Sequence, residues 1–254
     1  MDYPKTPSFN LNGKRSLVTG AGRGIGMGAS IALAQAGSEI VMVSRTEEQL
    51  IALNDHIKNL GLKSSYKPLD VTNDKELKDF INNEKPFDIL VNNAGTNIPS
   101  SLIETKIDDF DYVMSLNVKS VINLTKHVVT KMLDNNIQGS IINVSSQMGH
   151  VGGPNRTTYC STKFAIEGFT KSLSIELAPK GIRVNSICPT FIKTPMTEPF
   201  LKDYKFKDQV ISMIPIGRLG EIEDLMGPFV FLASDASSLM TGSSLLVDGG
   251  WTAR

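Results

Sequence analysis

Seven short apolar segments, at residues 15–19, 39–44, 64–69, 87–91, 140–144, 183–187 and 244–247, recur along the 254-residue chain, each parted from the next by sequence of helical period. Strands that are apolar on both faces must be covered on both faces, and strand–helix alternation is how a parallel sheet achieves this. The pattern predicts an α/β fold, a doubly wound parallel sheet (Rossmann fold) of about seven strands with helices on both faces and right-handed crossovers. The first helix should run from the glycine cluster after Thr19 to about residue 36. The second, TEEQLIALNDHIKNL, should stop at Gly61, a residue suited to a helix C-cap. No Ser/Gly/Pro-rich linker, charge block or internal repeat divides the chain, so residues 1–254 read as a single domain. Residues 194–215 (TPMTEPFLKDYKFKDQVISMIP) break the alternation and are expected to form a helical lid over a substrate.

Charge narrows the partners. With 26 Lys+Arg against 26 Asp+Glu the net charge is zero, which argues against nucleic acid and membrane surfaces as main partners and is compatible with self-association. The two cysteines, Cys160 and Cys188, make no disulfide framework, and no CxxC or Cys/His run suggests zinc, so a reducing, cytoplasmic setting and no metal are expected. The start, MDYPKTPSFN, has no apolar h-region, and no stretch approaches the ~18 apolar residues of a membrane span.

Ligands of such sheets bind beyond the carboxyl ends of the strands, so the informative residues should follow strands. After the first strand comes Gly20-Ala21-Gly22-Arg23-Gly24-Ile25-Gly26. Glycines there let a backbone approach a pyrophosphate, and the helix N-terminus adds unpaired N–H donors. The spacing is TGxxxGxG, since Ile25 stands where a strict GxGxxG would have its last glycine; a tight strand-to-helix turn is the competing reading. After the second strand comes Ser44-Arg45, with no carboxylate to bind a ribose 2′-hydroxyl. Arg23 and Arg45 together would suit a 2′-phosphate, so NADP is expected over NAD. The alternative makes Arg45 a solvated helix-start residue paired with Glu47 or Glu48.

From TGAGRGIG onward, over residues 11 to 250, the chain resembles the short-chain dehydrogenase/reductase family. Asp70 and Val71 after the third strand, Asn92-Asn93-Ala94-Gly95 after the fourth, and Pro189 and Thr194 after the sixth match that family's cofactor contacts. Thr190 departs from the pattern, where glycine is usual, and puts the local backbone path in question. The resemblance further implies a catalytic set of Asn117, Ser146, Tyr159 and Lys163. Tyr159 and Lys163, four apart in helical sequence, share one helix face. Lys163 and the positive ring of the oxidised cofactor are expected to draw the phenol from about 10 towards neutral. Ser146 would hold the substrate oxygen, with Ser145 as the structural alternative, and Asn117 a relay water. Tyr159 and Lys163 would also touch the cofactor. The reaction implied is reversible hydride transfer between the nicotinamide and a secondary alcohol or ketone, with no metal.

Substrate candidates are Gln147, His150, Val151 and Arg156 after Ser146, facing Asn97, Phe191 and Met196. Their polarity suits a small polyol or sugar acid. A 3-oxoacyl thioester reductase is the alternative, with Lys202, Lys205 and Lys207 attracting an acidic carrier protein; a non-catalytic NADP-binding sensor or scaffold is the alternative from another class. The resemblance also implies a homotetramer built on the helices carrying Asn117 and Tyr159, and Trp251 either packs on a neighbouring subunit or closes the last strand.

Overall fold

The computed structural model describes residues 3–253, so the first two residues and the last of the expected 1–254 domain lie outside the described range. Seven parallel strands, β1 (Arg15–Thr19), β2 (Glu39–Ser44), β3 (Ser64–Pro68), β4 (Ile89–Asn92), β5 (Ser140–Val144), β6 (Arg183–Pro189) and β7 (Ser244–Val247), form one sheet in the order β3-β2-β1-β4-β5-β6-β7. Between them run α1 (Gly24–Gln35), α2 (Glu47–Asn59), α3 (Asp74–Asn83), α4 (Ile107–Met114), α5 (Ser120–Asp134), α6 (Thr157–Leu177), α7 (Glu198–Leu201), α8 (Tyr204–Ser212) and α9 (Glu223–Ala233).

Period-two alternation sorts the strand side chains onto two faces. Val18, Ile40, Met42 and Val91 pack with Leu33 of α1, Leu50 and Ile57 of α2 and Phe229 of α9. Leu17, Val41, Val43 and Leu90 pack on the opposite side with Leu77 of α3, Val128 and Met132 of α5 and Leu177 of α6. Both layers are buried, as all-parallel sheets require. The edge strands β3 and β7 are only half covered, which explains why the residues of β3 (SSYKP) are the least apolar of the seven.

The order reverses between β1 and β4, so the strand ends diverge there and open a crevice. Residues 194–215 form a helical segment. Its short helices α7 and α8 rest on a small separate core in which Val210, Ile214 and Leu219 pack with Phe191, Phe206 and Trp251. Trp251 lies 5.8 Å from Phe191, ring centre to ring centre, so within the chain it anchors the lid.

Candidate functional site

A cleft runs along the carboxyl ends of the strands. It begins at the turn between β1 and α1, where Gly20, Gly22, Arg23, Gly24 and Ile25 line it. The turn is tight: a Cβ on Gly26 would stand 2.3 Å from the Gly20 carbonyl oxygen, so no side chain fits, and Gly26 itself supports the turn from behind. Gly24 adopts φ +58°, a left-handed geometry disfavoured for other residues. The first turn of α1 has neither a capping side chain nor an acidic residue, which leaves its N–H groups to whatever occupies the cleft.

Ser44 and Arg45 form the next wall. Arg45 is exposed and its Nη1 donates to the Tyr112 hydroxyl at 3.1 Å, not to Glu47 or Glu48. Among the described residues neither Arg23 nor Arg45 has a carboxylate partner. Two guanidiniums without carboxylate partners, beside uncapped helix N–H groups, suit the phosphates of a dinucleotide.

Asp70 and Val71 line the cleft above β3. Asp70 Oδ1 accepts from the Thr72 N–H and hydroxyl, holding a turn, while Asn73 caps α3. Asn93, Ala94 and Gly95 follow β4. The Asn93 side chain donates to the carbonyls of Thr19 and Gly20, which braces the glycine turn, and Asn92 donates to Thr125 and Asn143 beneath the sheet end. Pro189 and Thr194 close the far wall. Thr190 does not divert the chain: β6 continues through Pro189, and the Thr190 N–H donates to the Val247 carbonyl. Its hydroxyl is buried at the cleft with no partner among the described residues.

Ser146, Tyr159 and Lys163 converge in the middle of the cleft. Tyr159 shares a side-chain hydrogen bond with Ser146, and burial nevertheless pushes its phenol up to about 12. Lys163 is buried, donates from Nζ to the Val144 carbonyl at 2.8 Å, and is pulled down to about 8 by burial, against the raising influence of the neighbouring Cys188 and Glu167. Its nitrogen lies 5.4 Å from the centre of the Tyr159 ring. Without a cofactor, burial dominates the Tyr159 phenol, and the lowering expected from Lys163 and the oxidised cofactor ring together concerns the cofactor-bound protein.

Asn117 lies in a π-helical turn, Ser115–Lys119, between α4 and α5. Its Oδ1 accepts from Thr96 N, and its Nδ2 donates to Thr96 O and Thr162 Oγ1. The side chain therefore locks the loop after β4 to α6.

The substrate candidates divide. Met196 lines the cleft. Asn97 Oδ1 and both amide atoms of Gln147 are buried without partners among the described residues, Gln147 being 1 % exposed. Arg156 is 8 % exposed, carries the face of the lid residue Phe200 at 5.5 Å, and interacts electrostatically with Tyr159. Of the seven candidates only Met196 is among the residues that line the cleft. Phe191 packs between Phe206 and Trp251 in the lid core, because an aromatic ring gains more there than at a wet cleft. His150 turns away from the cleft towards Cys188 and Glu167, drawn by a buried carboxylate. Val151 does not line the cleft either. Residues missed from sequence include Thr46, Gln49 and Thr197, which line the cleft without a motif to mark them.

Comparison with known proteins agrees with this geometry. A family model described as enoyl-(acyl carrier protein) reductase matches residues 20–252. A 3-oxoacyl-[acyl-carrier-protein] reductase of Thermotoga maritima is 38% identical over 95% of this chain and 99% of its own. L-xylulose reductase of Mus musculus is 36% identical over 96% of this chain and 99% of its own. Among solved structures, a gluconate 5-dehydrogenase from Burkholderia cenocepacia J2315, in complex with NADP and tartrate, superposes with a TM-score of 0.93 at 33% identity, covering 97% of this chain and 98% of the other. Likeness of this extent, at identities above the level where fold alone is shared, assigns the chain to the short-chain dehydrogenase/reductase family, oxidoreductases that act on CH–OH and C=O groups.

Proposed function

We propose that the chain is a cytoplasmic, NADP-preferring enzyme that interconverts a keto sugar acid and its hydroxy form. The observation that carries the substrate class is Arg156, a residue only 8 % exposed that interacts electrostatically with Tyr159 and faces Phe200 of α7, with no carboxylate partner among the described residues. Its Nη1 donates to the neighbouring Asn155 carbonyl. Buried charges are normally paired, so the site is built to receive an anion. A substrate carboxylate at Arg156, with its hydroxyls on Gln147 and Asn97, satisfies groups that are otherwise stranded. A plain polyol would leave the guanidinium unpaired.

In the reductive direction Ser146 and Tyr159 hold the carbonyl oxygen, and Tyr159, kept protonated by burial, donates the proton. When bound, NADPH supplies the hydride. The Lys163 ammonium supplies the replacement proton to Tyr159 through a water that Asn117 positions. Gly20, Gly22, Arg23, Gly24, Ile25 and Gly26 shape the pyrophosphate site, while Ser44 and Arg45 select the 2′-phosphate. Asp70 and Val71 flank the adenine, and Asn93–Gly95, Pro189 and Thr194 border the nicotinamide end. A Ser–Tyr–Lys set this complete, converging in one cleft, argues against a non-catalytic sensor or scaffold.

The thioester reading rests on the Thermotoga relative and on the lid lysines, but Lys202 is exposed and lies 3.9 Å from Glu198, as expected of a solvated face. The family resemblance supports a tetramer, as do the exposed apolar residues Ile107, Phe110 and Phe164 on α4 and α6. The discriminating experiment assays the protein with NADPH and NADH against keto sugar acids, ketoses without a carboxylate, and acetoacetyl thioesters. Fastest turnover of a keto sugar acid with NADPH is expected; preference for the thioester would overturn the reading.

A further inference from the structure

His150, Glu167 and Cys188 come from the loop after β5, the middle of α6 and the end of β6, and they meet behind the Ser146 loop. His150 Nε2 lies 3.4 Å from Cys188 Sγ and 3.7 Å from Glu167 Oε2, and Cys188 Sγ lies 3.4 Å from Glu167 Oε1. Glu167 and Cys188 are buried, while the imidazole is partly open to solvent and leaves a way in. The ring nitrogen is too distant from the carboxylate for a hydrogen bond, so it sits between the two acidic groups without being committed to the carboxylate.

The carboxylate presents Oε2 to His150 and Oε1 to Cys188, and separations of 3.4 to 3.7 Å are those of ligand atoms sharing one tetrahedral ion with Zn–N and Zn–O bonds of about 2.0 Å and a Zn–S bond of about 2.3 Å. The Ser186 and Ser244 hydroxyls both donate to Glu167 Oε2, orienting the carboxylate as outer-shell partners of metal ligands do. The space is kept by Gly149, where a Cβ would stand 3.0 Å from Glu167 Cγ.

We propose that His150, Glu167 and Cys188 form a Zn²⁺ site, its fourth position filled by water or by the Ser186 hydroxyl, 3.5 Å from Cys188 Sγ. Thiolate and imidazole with a single carboxylate select zinc over magnesium or calcium. Binding forms a Zn–S bond and releases the thiol proton to solvent, so exchanging one proton for the dication adds one positive charge beside the buried Glu167 carboxylate. Hydride transfer has no need of this ion. The site instead ties the Ser146 loop to α6, one turn beyond Lys163, and to β6, one residue before Pro189. It is independent of the substrate reading above.

The test uses the whole protein, stripped with chelator and titrated with Cd²⁺, a spectroscopic substitute for Zn²⁺. One equivalent per chain and a cadmium–thiolate charge-transfer band in the ultraviolet are expected, with both retained in Cys160→Ser and the band lost in Cys188→Ser. NADPH fluorescence confirms that each variant is folded. His150→Ala, a change at the more exposed ligand, should weaken Zn²⁺ binding by about tenfold or more. Absence of the band in the wild-type protein, or a band that survives in Cys188→Ser and vanishes in Cys160→Ser, would overturn the proposal.

Discussion

Replacing Lys163 by Met tests how the buried ammonium is held, with a sign and a size that follow from the structure. Burial lowers the Lys163 pKa from 10.5 to about 8. The folded protein thus binds fewer protons than the unfolded chain between those values, and stability rises with pH across the interval. The cost of charging the buried amine is complete below pH 8 and gone above 10.5. Between pH 7 and 10 the wild-type protein should gain about 2 to 3 kcal/mol from this one group. Tyr159 acts in the opposite sense and higher up: its pKa is raised from 10 to about 12, so its contribution is intact below pH 10 and is lost as the pH climbs towards 12. The two windows barely overlap. Urea unfolding of wild type and Lys163→Met at pH 7, 8.5 and 10 gives the difference directly. The hydrogen bond to Val144, lost in the variant, costs the same at every pH and cancels from the slope. The difference should move in favour of the wild type by that 2 to 3 kcal/mol, with equal m-values. Parallel pH profiles for the two proteins would refute the reasoning, since they would mean that Lys163 keeps an ordinary pKa when folded.

Arg156→Met should lower kcat/KM for a keto sugar acid by about 30-fold or more, as expected for a desolvated charge pair worth about 2 kcal/mol or more, while a carboxylate-free ketose changes little. Its thermal midpoint should not fall, because the charge it removes is buried and unpaired in the free protein. Ser44→Asp places a carboxylate opposite the 2′-phosphate and should raise the KM for NADPH by about tenfold while NADH is spared, measured by initial rates with each cofactor. Gly26→Ala forces a Cβ against the Gly20 carbonyl and should cost about 1 to 3 kcal/mol in urea unfolding along with NADPH binding. Tyr159→Phe should abolish turnover with NADPH affinity retained; undiminished NADPH consumption would remove Tyr159 from the proton path.

The order and faces of the strands were legible because period-two burial writes itself into the chain: Leu17 and Val18, neighbours in sequence, go to opposite cores. The glycine turn was legible for a related reason, since Gly26 stands where only a missing side chain permits contact with Gly20. Asn117 was placed on a helix, but the π-helical turn and the saturation of its amide by Thr96 and Thr162 depend on partners 21 and 45 residues away, which no local pattern encodes. His150 and Phe191 were misplaced for one reason. Their neighbours along the chain face the cleft, while their partners in space, Glu167 and Trp251, lie elsewhere in the fold.

By itself the sequence determined the doubly wound sheet, the end of it where ligands bind, and the residue types that meet there, because those follow from local hydrophobic period and from motifs a few residues long. Only the tertiary structure decided what each polar group faces once water is removed. It holds Tyr159 protonated and makes Lys163 costly to charge, it leaves Arg156 without a counter-ion, and it gathers a histidine, a glutamate and a cysteine that no short motif joins. These outcomes depend on desolvation and on partners distant in the chain, and both quantities exist only after the layers have packed.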